Sequence, residues 1–357
     1  MTEHHQRAVS HNQSGDCTLI NLGNVHGSIN YHLPTPHQAA RAEVVRVIPY
    51  PRNEDLVCRR DLIDRLDKLL PQTQGFHSAA LWGLGGSGKT QIALDYGYRR
   101  CGNDEKCSVF WVHADNEASF TSDYKTIGRK LGVDEQLEGS DLLEEVCSKI
   151  GERSRWVMIV DNADNLGLFG VGTGPQRTAE SLCRYVPHTS HGTVLWTSRD
   201  AHIAGTLVSA GRGIEVRSLE ADEAMTLLTR TRNDESTAQE AGVTALLEEL
   251  QRLPLAISQA GAYMPRTSMT ASEYLSLLAQ GRTRWEVLKM SDADRHRRPE
   301  VSNSVLETWR ISIERIREES KMSYRMLHVI AGAASDNAPR GIFFSQYASE
   351  TRRRAQL

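Results

Sequence analysis

The sequence predicts an α/β fold in which a parallel sheet is sandwiched by helices and followed by a small all-α domain. Three observations carry this. Between residues 78 and 204, short apolar runs alternate with longer amphipathic stretches: SAALW (78–82), SVFWVHA (108–114), RWVMIVD (155–161) and GTVLWTSR (192–199). Runs that are apolar throughout belong to strands buried on both faces, and the helical segments between them supply the crossovers of a parallel sheet. From residue 220 to 280 the strand signal ends and the pattern reads as helices.

The chain has 357 residues, 39% hydrophobic and 24% charged, a balance able to bury a core across two or three compact units. A formal net charge of −3 gives no global field favouring nucleic acid or an acidic membrane. No apolar run approaches the roughly 20 residues that cross a bilayer, and residues 1–10 lack the apolar core of a signal peptide. The six cysteines form no CxxC pair and no zinc-like spacing, so free thiols in a reducing, cytoplasmic setting are expected.

Residues 1–40 are polar, and the spacing of His4, His5, His11, His26, His32 and His37 matches no metal site. Within them, residues 14–34 are rich in Asn and Gly. Thr18, Ile20 and Leu22 alternate with Leu19 and Asn21, while Gly23 and Gly27 permit a turn, a pattern suited to stacking in cross-β assemblies. Pro34, Pro36, Pro49 and Pro51 mark a linker. Leu62, Leu66 and Leu69 then recur at helical spacing up to Pro71. Residues 291–300 (SDADRHRRPE) read as a second linker, and Leu306, Trp309, Ile313 and Ile316 form one stripe of a later helix.

The sharpest chemical signal is GLGGSGKT at residues 83–90, a full match to G-x-x-x-x-G-K-[ST] placed between a strand and a helix. Gly83, Gly85, Gly86, Ser87 and Gly88 let backbone N–H groups converge on a phosphate, beside the positive end of the following helix. Lys89 brings a full charge to the β/γ oxygens, and the Thr90 hydroxyl is a Mg²⁺ ligand. Gln91 extends the expected nucleotide contacts. Asp161, at the end of an apolar strand, suits the second Mg²⁺ ligand, the Walker-B carboxylate. Asn162 follows it, and an amide is no general base, so rapid hydrolysis is not expected; Asp164 is the nearest substitute. Arg199 ends the strand at 192–199, where parallel strands present their ligand edge, and so is expected to reach the γ-phosphate. The expected catalytic set is Lys89, Asp161 and Arg199.

In this order these segments resemble the NB-ARC class of STAND signalling ATPases, in particular fungal NOD-like receptors. GLGGSGKTQIALDYGYRR, SVFWVHADN and GTVLWTSRD carry the likeness, and RLPLAISQAGAYM resembles the family's GLPLA box. LVCRRDLIDRL sits where the family has an FVGRE-like segment beside the adenine, with Cys58 and Arg60 replacing Gly and Glu, and Arg252 replacing the first Gly of GLPLA. The resemblance spans about residues 48–335. It implies a P-loop NTPase sheet and a small helical domain, then an incomplete winged-helix-like segment in a truncated or divergent member. It implies Pro254 packed near the adenine, ADP/ATP and Mg²⁺ as cofactors, and at most slow ATPase activity. The implied role is an ADP/ATP switch of an intracellular signalling protein of the innate-immunity or programmed-cell-death type. Exchange would drive homo-oligomerisation.

LINLGNVHGSIN within residues 14–34 resembles RHIM-type and fungal amyloid-signalling motifs, which implies a downstream effector with a matching motif. The expected organisation is a tail at 1–40, a linker and first helix at 41–76, and a nucleotide-binding domain at 77–206. A helical ARC1-like domain at 207–290 and a partial winged-helix-like region at 291–357 complete it. Two other readings stand beside the switch: an AAA-type ATPase with steady turnover, and a non-enzymatic adaptor in which only the tail acts.

Overall fold

A computed structural model describes residues 44–172, 181–279, 317 and 320–326. The amyloid-type motif and most of the winged-helix-like region therefore lie outside the described residues. The elements run β1 (Arg46–Val47), α1 (Arg60–Leu69), β2 (His77–Trp82), α2 (Lys89–Asn103), β3 (Ser108–His113), α3 (Glu117–Leu131) and α4 (Gly139–Gly151). Then follow β4 (Trp156–Asp161), β5 (Gly192–Ser198), β6 (Gly213–Glu215), α5 (Ala221–Arg232), α6 (Val243–Glu249), α7 (Pro254–Thr267) and α8 (Ala271–Ala279).

The sheet is the expected parallel one, six-stranded in the order β1-β3-β4-β5-β2-β6. Every residue of β3, β4 and β5 is buried, as strands covered on both faces require. One face packs Phe110, Val112, Met158, Val160, Val194 and Trp196 against α3 and α4 residues such as Phe120, Tyr124 and Val146. The other packs Val109, Trp111, Val157, Ile159 and Leu195 against Leu62 and Leu66 of α1 and Ile92 and Leu94 of α2. Of the predicted helical stripe Leu62, Leu66 and Leu69, the first two are buried; Leu70 is buried while Leu69 is partly so.

Two strands come from segments that the pattern reads otherwise. Arg46–Val47 lies in the proline-bearing linker and pairs with β3 at the sheet edge; Gly213–Glu215 lies within the bounds of the expected helical domain at 207–290 and pairs with β2. Both are too short to show a period. Val45 N donates to Ser108 Oγ at 3.2 Å and Val109 N to Val45 O at 3.0 Å, which ties the linker to β3.

Helices begin and end on local chemistry. The Asn116 side chain caps α3 by accepting from Ser119 N at 2.9 Å, and Gly132, at φ 70°, closes it. Pro254 takes the first position of α7, where a missing N–H costs nothing. The helical unit α5–α8 has its own core, including Leu227, Leu228, Leu246, Leu255, Ile257 and Tyr274. Among the described residues no helix is long and apolar enough to cross a membrane, and Cys58, Cys101, Cys107, Cys147 and Cys183 are free thiols.

β5 needs glycine at Gly192, because a Cβ there would lie 2.0 Å from Trp156 Cζ2. Gly192→Ala is expected to destabilise the chain by about 3 kcal/mol, since overpacking a tight core forces backbone shifts. Urea unfolding followed by tryptophan fluorescence checks this; an unchanged midpoint would mean that the indole swings clear.

Candidate functional site

The strand order places the P-loop strand β2 between β5 and β6, with β5 lying between β2 and β4. The ends of β2, β4 and β5 thus meet at one carboxyl edge, where parallel sheets hold ligands. Gly83 N donates to Ser198 O at 3.3 Å, fastening the loop's first residue to the end of β5. Gly83 is at φ 145° with Val216 O 2.5 Å from where a Cβ would be, so both space and conformation exclude a side chain. Gly86 and Gly88 are at φ 81° and 97°, and Gly88 opens α2. A Cβ on Gly86 would lie 2.9 Å from Leu255 Cβ, and Leu255 N donates to Gly86 O at 3.2 Å. The glycines therefore shape the loop and also let α7 sit directly on it. Pro254 lies on the same side: its Cγ is 3.9 Å from where a Gly88 Cβ would be.

Lys89 is 7% exposed. Its ammonium donates to Gly83 O at 2.8 Å and Leu84 O at 2.9 Å, bridging the loop. Burial lowers its pKa to about 8, against the opposing pull of Asp164 and Asp161 and with the help of Arg199. Asp161 is 2% exposed and accepts from Thr90 Oγ1 at 3.0 Å and from Thr197 Oγ1 at 2.6 Å, both on Oδ1. Desolvation raises its pKa, and the hydroxyl bonds and His113 only partly counter this. A buried carboxylate hydrogen-bonded by two hydroxyls, one of them in the first turn of α2, offers hard oxygen ligands that fit Mg²⁺, a cation that takes few protein ligands and keeps water and phosphate oxygens.

Around this centre, Asn162 is at φ 61° and donates its N–H to Thr197 Oγ1 at 2.9 Å, so the chain turns sharply after β4. Asp164 Oδ1 then accepts from Arg199 N at 2.6 Å, and Asp164 Oδ2 lies 3.3 Å from Arg199 Nε. On the far side, His113 is register partner to Asp161, and its Nδ1 and backbone N both face Asp123 Oδ2, at 2.8 and 2.7 Å. Its Nε2 meets Tyr50 Oη at 3.1 Å. Asn53 Nδ2 donates to Gln91 Oε1 at 2.8 Å, which lays residues 50–55 against the start of α2. Farther along, Arg59, 8% exposed, donates to Arg217 O at 2.7 Å.

The residues read from the sequence thus meet at one edge: Gly83, Gly86, Gly88, Lys89, Thr90, Asp161 and Arg199, with Pro254 on the helical side. Sequence reasoning missed Thr197 as the second hydroxyl on Asp161, His113 with Asp123, and Leu255 on Gly86. A threonine inside an apolar strand was the available signal for the first. A cleft of about 600 Å³ has Gly83, Leu84, Arg217, Glu248 and Arg252 in its walls. Lys89, Thr90 and Asp161 do not line it.

The family model for the NB-ARC domain matches residues 59–238. A nucleotide-binding leucine-rich repeat (NLR)-like protein of Hyaloscypha variabilis is 28% identical over 310 residues, covering 82% of this chain and 31% of that protein. The chain therefore spans under a third of that relative's length. Among solved structures, a Walker-type ATPase of Pyrococcus abyssi aligns at TM-score 0.47 and 15% identity over 81% of this chain and 82% of that one. The Cdc6p protein from Pyrobaculum aerophilum aligns at TM-score 0.43 and 13% identity, covering 76% and 88%.

Lys89, with its pKa near 8, is partly deprotonated in mildly alkaline solution. A phosphate beside it favours the ammonium, so binding at about pH 8.5 should take up a fraction of a proton. By the same sign, the penalty of burying the ammonium falls away as pH rises from about 8 toward its ordinary 10.5, adding stability to the unliganded chain over that window. Titration calorimetry of ADP in two buffers of different ionisation enthalpy checks the uptake; identical enthalpies would mean that Lys89 stays charged throughout.

Proposed function

The chain belongs to the NB-ARC family, and from that premise we propose that residues 44–279 work as a nucleotide-dependent switch, binding ADP and ATP with Mg²⁺ at the P-loop. The observation that carries this reading is that two opposite charges, Lys89 and Asp161, are buried at the P-loop end of the sheet. Lys89 bridges the loop, while Thr90 and Thr197 hold Asp161. Lys89 takes the β-phosphate and, when present, the γ-phosphate; backbone N–H groups of residues 85–90 and the start of α2 line the diphosphate. Thr90 and Asp161 hold Mg²⁺. Pro254 and Gln91 border the nucleoside. Arg199 reads the terminal phosphate.

When bound, Mg²⁺ neutralises charge on the terminal phosphates. The chain's own residues add little to hydrolysis. Asn162 offers an amide where a base would stand, and Asp164 is engaged with Arg199. Turnover is accordingly slow, which favours a switch over an AAA-type ATPase with steady turnover. A bound nucleotide shifts a two-state equilibrium only by its affinity difference between the states. α7, bonded to the loop through Leu255 and Gly86, is the element through which such a difference reaches the helical unit.

The finer reading follows from the relative's name and from the tail. The switch serves an NLR-like intracellular signalling protein, and ATP opens it and drives homo-oligomerisation. Clustered N-terminal tails, with the motif at 14–34, then template an effector that carries a matching segment. High local concentration is what makes such templating efficient.

Mass spectrometry of the nucleotide that co-purifies with the chain should find ADP, and Lys89→Ala should lose it. Affinity for ADP in that variant is expected to fall on the order of a hundredfold, the worth of charge-assisted contacts to phosphate. Purified chain without nucleotide, and with no binding that depends on Lys89, would overturn the reading.

A further inference from the structure

We infer that Asp164 sets how strongly this site discriminates between nucleoside tri- and diphosphate, by competing with the terminal phosphate for Arg199. The inference rests on the proposed switch, and deepens it.

The geometry is specific. Asn162, at φ 61°, turns the chain after β4 so that Asp164 faces the end of β5. There its Oδ1 accepts from Arg199 N at 2.6 Å and from Ser198 Oγ at 3.4 Å, and its Oδ2 lies 3.3 Å from Arg199 Nε. One carboxylate thus holds both the backbone and the guanidinium of a single arginine. The two side chains are 27% and 24% exposed, so the pair is partly shielded. The same two residues are the leading electrostatic influences on Lys89 after burial, with opposite signs.

A guanidinium is a rigid planar fork, so an anion held on one edge restrains how its other N–H groups can meet a second. Arg199 therefore stands between the Asp164 side chain and a second anion that only a triphosphate brings. A diphosphate leaves the pair as it is. A triphosphate gains Arg199 only by loosening it. The pair thus subtracts from triphosphate affinity and not from diphosphate affinity, biasing the site toward the diphosphate-bound state. Asp164 is a positioning residue here, since it acts through Arg199.

The test uses the full chain with Mg²⁺, displacing a fluorescent nucleotide with ADP and with a non-hydrolysable ATP analogue. Asp164→Asn keeps an acceptor for Arg199 N and removes the charge. It should raise the ratio of analogue affinity to ADP affinity by about fivefold, the worth of a partly exposed ion pair. In an Arg199→Gln background the same substitution should leave the ratio unchanged. The ratio is taken within one preparation, so partial unfolding does not alter it. Equal gains for both ligands would mean that the charge merely repels phosphate and would overturn the inference. A lowered ratio would overturn it too, because Asp164 would then aim Arg199 at the phosphate. If the wild type binds neither ligand and Lys89→Ala behaves identically, the switch reading itself fails, and this inference with it.

Discussion

Two opposite charges, the Lys89 ammonium and the Asp161 carboxylate, are buried at one sheet edge, and among the described residues neither forms an ion pair. Removing an ion from water costs several kcal/mol even in a relaxed protein, of the order seen for buried pairs that lose a partner. Lys89 is compensated by two carbonyls and Asp161 by two hydroxyls. Dipoles of this kind offset only part of the cost, which is why burial moves both groups toward their neutral forms. An edge in this condition rewards one kind of ligand above others: an anion beside Lys89 carrying a cation beside Asp161. The magnesium–phosphate unit of the proposed switch carries charges of both signs and would relieve part of that cost.

That requirement explains the sheet order. β5, lying between β4 and β2, brings Thr197 to Asp161 Oδ1, and Thr90 reaches the same oxygen from the first turn of α2. It also explains why the helical unit cannot be indifferent to the loop. The Gly86 carbonyl receives the Leu255 N–H, and Leu255 occupies the space that a side chain on Gly86 would need. The Arg59 guanidinium meanwhile holds the Arg217 carbonyl between β6 and α5. A backbone bond and a close apolar contact are short-range interactions. A loop that shifts by a few tenths of an ångström must either carry α7 with it or break them.

The central strands, the P-loop and Asp161 were legible in the sequence because each has a local cause: unbroken apolar runs, glycines with a lysine, an acid at a strand end. The alternation of strands and helices was enough to place the parallel sheet. What escaped had non-local causes. Arg46–Val47 and Gly213–Glu215 are strands only because β3 and β2 offer free edges. Thr197 gains its role from a strand distant in sequence, and the pairing of His113 with Asp123 joins a strand end to a helix. Arg199 was read as a phosphate contact from its position at the ligand edge. Its engagement with Asp164 depends on the left-handed turn at Asn162, a conformation that an Asn tolerates but does not announce.

That turn also bears on rate. A fast ATPase needs a base held close to the attacking water and free to take its proton. Here the position after Asp161 is an amide whose backbone is committed to Thr197, and the next acid along the chain has both oxygens turned toward β5 and Arg199. The residues that could have driven turnover instead fix the geometry of the sheet edge and restrain the arginine. On the proposed switch reading, a nucleotide held here is hydrolysed slowly enough for the helical unit to respond to which one is bound.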